Sequence, residues 1–278
     1  MKTLYVSDLD GTLLRRDVRI SPYSCGVINS LIENGLMFSY ATARSIYTAE
    51  TAAQGLNVRL PVIINNGVSI IDPVTKKRYV TNCFSDGEAA EIYSILMSFG
   101  IFPSVAAIID GNEKYLYDRN NINPKLAEFI ASRKNDSRNT PLDDTSVILD
   151  GDVFYFTCIG EVEKLLSAYD VIKKMNDKYT SIFQYDIYSG EPWLEVMPLY
   201  ATKANAVRQL KQMYNCDTVV VFGDGINDIP MFKSADRCYA VANAADELKA
   251  LATDIIESNE NDGVARWLLE NFNADAEI

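Results

Sequence analysis

The chain has 278 residues, 48% of them hydrophobic, and 26 Lys and Arg against 38 Asp and Glu leave a formal net charge of −12. That balance argues against nucleic acid or an anionic membrane as a partner, because binding either draws on clustered Lys and Arg. Histidine is absent, which removes Ser-His-Asp and Cys-His hydrolases, His-ligated metals and phosphohistidine chemistry and leaves catalysis to carboxylates, Lys, Arg, hydroxyls or a metal.

In chain order, Leu4-Tyr5-Val6 predicts a buried strand, and Asp8-Leu9-Asp10-Gly11-Thr12 follows it directly. Two carboxylates therefore stand two residues apart where a strand emerges, with a glycine to turn the chain. Ser21-Pro22 is a helix start, and Val27, Ile28, Leu31 and Ile32 make an apolar face that stops at Gly35. Leu36 to Ala41 reads as a strand ending at Thr42, Ile46 to Gln54 as a helix ending at Gly55, and Val62 to Ile64 as a third strand. Asn66-Gly67 then turns the chain into Val68 to Ile71. Strands alternating with helices in this way predict a parallel sheet covered on both faces.

The middle of the chain changes texture. Ser85 with Glu88 is a capping box opening a helix that ends near Gly100. Ile101 to Ile109 and Lys114 to Tyr117 form a predicted hairpin around Asp110-Gly111, and the polar stretch from Ser132 to Asp144 reads as a loop. Val153 to Ile159, a helix from Glu161 to Met175, and the runs Ser181 to Tyr188 and Trp193 to Val196 complete a mixed α+β unit. From Thr202 the first texture returns. A helix carries Ala206, Val207, Leu210 and Tyr214 on one face; the strand Thr218 to Phe222 leads into Gly223-Asp224-Gly225-Ile226-Asn227-Asp228. Short strands at Cys238 to Val241 and Ile255-Ile256 precede a last helix burying Val264, Trp267, Leu268 and Phe272. The expected fold is thus α/β: a Rossmann-like parallel-sheet core, residues 1–81 and 190–278, with an inserted α+β domain over residues 82–189. A chain of this length suits two domains.

Cys25, Cys83, Cys158, Cys216 and Cys238 include no Cys-x-x-Cys pair, so they read as small apolar residues in a reducing compartment, the cytoplasm. No basic-then-apolar leader opens the chain, and no apolar run approaches the ~20 residues of a membrane span.

Asp8 with Asp10, Thr42, Lys203, and Asp224 with Asp228 all fall at the end of a predicted strand or the start of the next helix. Open parallel sheets bind ligands in the crevice outside those strand ends. Converging carboxylates repel one another unless a cation joins them, and all-oxygen ligands select a hard ion such as Mg²⁺. One carboxylate could then attack phosphorus to form an aspartyl-phosphate, while Lys203, a hydroxyl and backbone N–H groups stabilise the transferring group. Asp10 could protonate the leaving alkoxide and later deprotonate water. Taken singly, Lys203 would read as a solvated first-turn lysine, Thr42 as a cap, and Asp224 with Asp228 as a polar turn. Their co-occurrence in this order decides for the site. A calcium loop starting at Asp8 fails, because Leu13 and Arg19 stand where glycine and glutamate are needed. A P-loop is excluded by the absence of its glycine-rich motif.

In these motifs the chain resembles the haloacid dehalogenase-like phosphatases, specifically the Cof-type branch with a large α/β cap between the second and third motifs. Asp8 to Leu14 matches the first motif, Ala41-Thr42-Ala43-Arg44 the second, Thr202-Lys203-Ala204 the third and Gly223 to Asp228 the fourth. Asn65-Asn66-Gly67 and Ser258 to Ala265 also look like that branch. The resemblance implies Asp8 as nucleophile, Asp10 as acid/base, and Asp8, Asp224 and the backbone carbonyl of Asp10 on Mg²⁺. It further implies Thr42, Ala43, Lys203 and Asn227 at the phosphate, with Asp228 in support. The family usually has glycine in place of Ala43 and Ala204; alanine keeps the N–H but loses easy access to positive φ. The expected activity is Mg²⁺-dependent hydrolysis of a small phosphorylated metabolite such as a sugar phosphate. A sugar phosphomutase and a non-enzymatic phosphate or Mg²⁺ sensor are the alternatives. The insertion is expected to act as a mobile lid hinged at Ser189-Gly190.

Overall fold

The structure, a computed structural model, describes residues 2–133, 135–186 and 189–272. The chain opens with β1 (Thr3–Ser7), α1 (Pro22–Glu33), β2 (Met37–Tyr40), α2 (Ile46–Ala52), β3 (Val62–Ile64) and β4 (Ser69–Ile71). All five residues of β1 are buried, as a central strand flanked on both faces requires. Ser21 caps α1 by accepting a hydrogen bond from Ser24 N, with proline in the first turn. Ile28, Leu31 and Ile32 of that helix are buried, as their spacing predicts.

After β5 (Arg78–Thr81) the chain enters a second compact unit, Thr81–Ala201, inserted into the first, Met1–Val80 with Thr202–Ile278. The inserted unit contains α3 (Asp86–Ser98), β6 (Ser104–Ile109), β7 (Asn112–Asp118), α4 (Pro124–Ser132), β8 (Asn139–Leu142), β9 (Asp152–Ile159), α5 (Val162–Ile172), β10 (Tyr179–Tyr185) and β11 (Pro192–Pro198). Its sheet has the order β10-β11-β9-β6-β7-β8 and is antiparallel except between β7 and β8. Ile92, Leu96, Leu165 and Ala168 from α3 and α5 join Val105, Phe156 and Val196 of that sheet in one core.

Three expectations change here. The polar stretch 132–144 is not all loop: Asn139–Leu142 pairs with β7, and α4 precedes it. All four residues of β8 are half-buried at the sheet edge, so no apolar alternation marks them. The insertion ends at Ala201 and not at residue 189, because β11 pairs with both β10 and β9. Ser189-Gly190 is accordingly no hinge but the turn of the β10–β11 hairpin, where Gly190 N donates to Asp186 O and Tyr185 pairs with Pro192. Tyr188, the expected end of that strand, lies outside the described residues.

The chain returns through α6 (Lys203–Met213), β12 (Thr218–Gly223), α7 (Ile229–Ser234), β13 (Arg237–Val241), α8 (Asp246–Lys249), β14 (Asp254–Ile256) and α9 (Gly263–Asn271). The parallel sheet of this unit runs β14-β13-β12-β1-β2, and a parallel bridge from Ala41 to Ile63 sets β3 beyond β2. From β1 the chain builds outward to β2 and β3 on one side; from β12 it builds outward to β13 and β14 on the other. The order therefore reverses between β1 and β12, where such sheets form their ligand crevice. Trp267 of α9 packs against Tyr5, Phe222 and Tyr239, tying the helix to three adjacent strands. Burying a side chain such as Phe222 contributes roughly 1.5–3 kcal/mol.

Candidate active site

Asp8 sits one residue past β1 and is still joined to β12 by its N–H, which donates to Phe222 O at 2.9 Å. Immediately beyond, the N–H groups of Thr12, Leu13 and Leu14 converge on Leu9 O at 3.3, 3.0 and 2.8 Å, closing a tight turn. Gly11 adopts φ +76, and a Cβ there would overlap the Asp224 carboxylate. Only glycine fits that approach. Thr12 Oγ1 donates to Asp224 Oδ1 at 2.9 Å, so the loop after β1 holds the carboxylate that follows β12.

Lys203 opens α6 with its Nζ 2.8 Å from Asp8 Oδ1 and 2.8 Å from Asp228 Oδ1. The three side chains are 2%, 6% and 0% exposed. Asp228 Oδ2 accepts from the N–H groups of Asp224 and Gly225 at 3.1 and 3.2 Å. Asp228 is thus engaged through both oxygens and braces the turn that carries Asp224. Ligand oxygens of Asp8, Asp224 and Asp228 lie within 4.8 Å of one another.

Burial disfavours the Lys203 ammonium, but Asp228 and Asp8 outweigh it and hold the lysine protonated above its usual range. Burial, and then the Asp228 charge, push the Asp8 carboxyl up against the pull of Lys203. The same two causes raise Asp224 to about 7, opposed by the Thr12 hydroxyl and Lys203. Three carboxylates share one lysine, which leaves an excess of negative charge enclosed by oxygen donors. That donor set fits a hard divalent cation.

The other expected residues border this cluster. Tyr40 of β2 pairs with Ser7 of β1, which brings Thr42 to the same sheet end as Asp8. Thr42 is fully buried; its N–H donates to Ile63 O, its carbonyl accepts from Asn66 N, and its Oγ1 accepts from Arg44 N at 3.1 Å. Ala43 and Ala204 do not lie at positive φ, so alanine costs neither position any backbone strain. Asn227 lies beside Asp228 with its side-chain oxygen folded back over Gly225.

Asp10 departs from the cluster. Its carboxylate lies on Arg44, with Nε at 3.1 and 2.8 Å from its two oxygens and Nη2 at 2.5 Å from Oδ1. The three clustered carboxylates are therefore those of Asp8, Asp224 and Asp228. Arg44 stands in the second motif, and its spacing gives no sign of this partner 34 residues earlier. Asn65-Asn66-Gly67 also acquires a place: all three residues have positive φ, at 49, 55 and 98. Asn65 N donates to Arg44 O, and a Cβ on Gly67 would overlap the Thr202 carbonyl. This turn seats the Thr42 loop against the start of α6.

A family model for haloacid dehalogenase-like hydrolases matches residues 5–268. The chain is 26% identical over 281 residues to the 5-amino-6-(5-phospho-D-ribitylamino)uracil phosphatase YwtE of Bacillus subtilis, covering 94% of this chain and 95% of that protein. It is 25% identical to the phosphatase of the same name, YitU, from that organism, covering 97% of each. A solved haloacid dehalogenase-like hydrolase from B. subtilis superposes with a TM-score of 0.77 at 21% identity, over 97% of this chain and 99% of the other. That likeness shows the same fold. The chain belongs to the haloacid dehalogenase-like hydrolases, in their Cof-like branch, and is a phosphoric monoester hydrolase.

Proposed function

We propose that this hydrolase cleaves small phosphate monoesters, sugar or polyol phosphates, in a Mg²⁺-dependent reaction that passes through an aspartyl-phosphate on Asp8. The observation that carries the reading is the Lys203 ammonium held 2.8 Å from Asp8 Oδ1 inside a cluster of three carboxylates. With Oδ1 on Lys203, Asp8 Oδ2 is the oxygen that attacks phosphorus. The bond from phosphorus to the ester oxygen breaks as the new one forms, and Asp10 gives the departing alkoxide its proton. Water then attacks the same phosphorus and loses its proton to Asp10, releasing phosphate and restoring the Asp8 carboxylate. Arg44 holds the Asp10 side chain in the resting site, and the side chain turns from Arg44 toward the substrate for the two proton transfers; the Thr42 hydroxyl and the N–H of Ala43 are the donors assigned to the phosphoryl oxygens, with Asn227. Asp8, Asp224 and the Asp10 carbonyl would hold Mg²⁺, with Asp228 in support; when bound, the ion neutralises charge on the phosphoryl group.

The two B. subtilis relatives are named for a substrate carrying phosphate on a ribityl chain, which supports a polyol phosphate here. The five cysteines are all free, in keeping with a cytoplasmic enzyme, and no described helix is long and apolar enough to cross a membrane. The test is phosphate release from a panel of phosphorylated sugars, polyols, nucleotides and a phosphopeptide, with Mg²⁺ and with chelator. A small polyol or sugar phosphate should be the best substrate. Full activity in chelator, or equal rates on the phosphopeptide, would overturn the reading. Conversion of a sugar phosphate without phosphate release, stimulated by the bisphosphorylated sugar, would make the enzyme a mutase.

A further inference from the structure

The segment from Ser258 to Ala265 is far from the catalytic motifs in sequence, yet its turn Asn259–Asn261 is hydrogen-bonded to the loop that follows β1. Asn259 is buried, and its Nδ2 donates to Leu14 O at 2.8 Å. Its own N–H donates to Asn243 Oδ1 at 3.1 Å, and Asn243 Nδ2 donates to Gly11 O at 2.7 Å. Two asparagines thus form one bridge between two carbonyls of the same tight turn. Neighbours of the bridge clamp the segment that follows: Glu260 accepts from Arg16 N at 2.8 Å. Asp262 accepts from Arg15 Nη2 at 2.7 Å, Ser21 Oγ at 2.5 Å and Ser24 Oγ at 2.9 Å.

The Gly11 carbonyl is the sensitive end of this bridge. Gly11 has no space between its Cα and the Asp224 carboxylate, and Thr12 bonds that carboxylate directly. Asp10 precedes both. A shift of the turn therefore moves Asp10 and pushes on Asp224 together, while Asp8, joined to β12 through its N–H, stays in place.

We propose that Asn243 and Asn259 are positioning residues for the catalytic loop, holding Gly11 and Leu14 by their carbonyls so that Asp224 and the backbone at Asp10 keep their place beside Asp8. The inference rests on the phosphatase reading above. Misplacing a reacting group by about 1 Å can cost about 10²-fold in rate. Asn243→Leu and Asn259→Leu remove the amide with little change in side-chain size. Each should lower kcat by about 10- to 100-fold with KM within about threefold of the parent, the signature of lost transition-state alignment. Hydrogen exchange at the amides of Thr12, Leu13 and Leu14 should become about tenfold faster or more, since their shared acceptor turn is no longer tied down. Asn261→Ala, on the same turn but with its side-chain amide on Glu257 at 3.3 Å and not on the catalytic loop, should keep parental kcat and exchange.

Asn243 is exposed, so its variant does not put the fold at stake if Asn259→Leu fails to fold. Parental kcat in folded Asn243→Leu, or a loss of kcat with unchanged exchange over residues 12–14, overturns the inference. A parent protein inactive on every phosphate ester would instead overturn the phosphatase reading, and the exchange measurement would still decide whether the bridge holds the loop.

Discussion

Replacing Lys203 by methionine removes the one cation among Asp8, Asp224 and Asp228 while keeping the length of the side chain. Both ion pairs are lost at once, each 2.8 Å long and each between groups no more than 6% exposed. Removing one partner of a buried pair leaves the other charge uncompensated and costs about 3–5 kcal/mol. For a unit of this size each kcal/mol lowers Tm by about 2–4 °C, so the fall should be about 6–20 °C. Trp267 reports the parallel-sheet unit and Trp193 the inserted one, so the melt is followed by fluorescence in a Trp193→Phe background with chelator present. The sign of the pH dependence follows from Asp8, whose carboxyl is raised by burial and in the variant loses the opposing pull of Lys203. A carboxyl whose folded pKa lies above its unfolded value loses stability as pH rises between the two. The variant should therefore melt closest to the parent near about pH 4, where the unfolded carboxyl titrates, and furthest below it near about pH 8. Lys203→Arg, which keeps the charge, should recover part of the loss. Adding Asp228→Asn to Lys203→Met should cost less than the sum of the single changes, since the two residues touch. A variant melting with the parent at both pH values would refute the buried-pair account.

In the parent protein, burial and Asp228 raise Asp224 to about 7, so in chelator stability should fall as pH rises from about 4 to about 7, and Mg²⁺ should flatten that slope; thermal melts over this range check it. Asp8→Asn should abolish turnover and any acid-stable phosphoenzyme trapped from labelled substrate, whereas Asp10→Asn should lower kcat by about 10²–10⁴-fold and leave some phosphoenzyme. Arg44→Lys keeps the charge but loses the bidentate grip on Asp10, and should lower kcat more than it raises KM. Gly67→Ala meets both the positive φ and the Thr202 carbonyl; it should destabilise by about 2 kcal/mol or more and lower activity, read by denaturant midpoint and steady-state rates.

Long periodic elements and strand-end motifs were legible in the sequence because their signals are local. The apolar run of β1, the Ser21-Pro22 start of α1 and the capping box at Ser85 each depend on residues within one or two turns. Edge strand β8 was not legible, because half-buried Asn139, Thr140 and Pro141 carry no alternation and pair only through their neighbour β7. The end of the insertion was misplaced for a related reason: whether β11 belongs to one unit or the other is decided by its partners β9 and β10.

By itself the sequence determined the kind of chemistry available. With no histidine, and with Asp8, Asp10, Thr42, Lys203, Asp224 and Asp228 placed in this order at strand ends or helix starts, the sequence points to oxygen ligands, a lysine and phosphoryl transfer. The tertiary structure alone decided which of those carboxylates stand together. Lys203 lies 195 residues from Asp8, and the pair meets because β1 and β12 are adjacent at the reversal of strand order. Asp10, two residues from Asp8 in the chain, is turned instead onto Arg44. The physical reason is that the chain leaves β1 at Ser7 and turns tightly around Leu9 O, so strand alternation no longer places Asp10 beside Asp8, and partners across the crevice select which side chain joins the cluster.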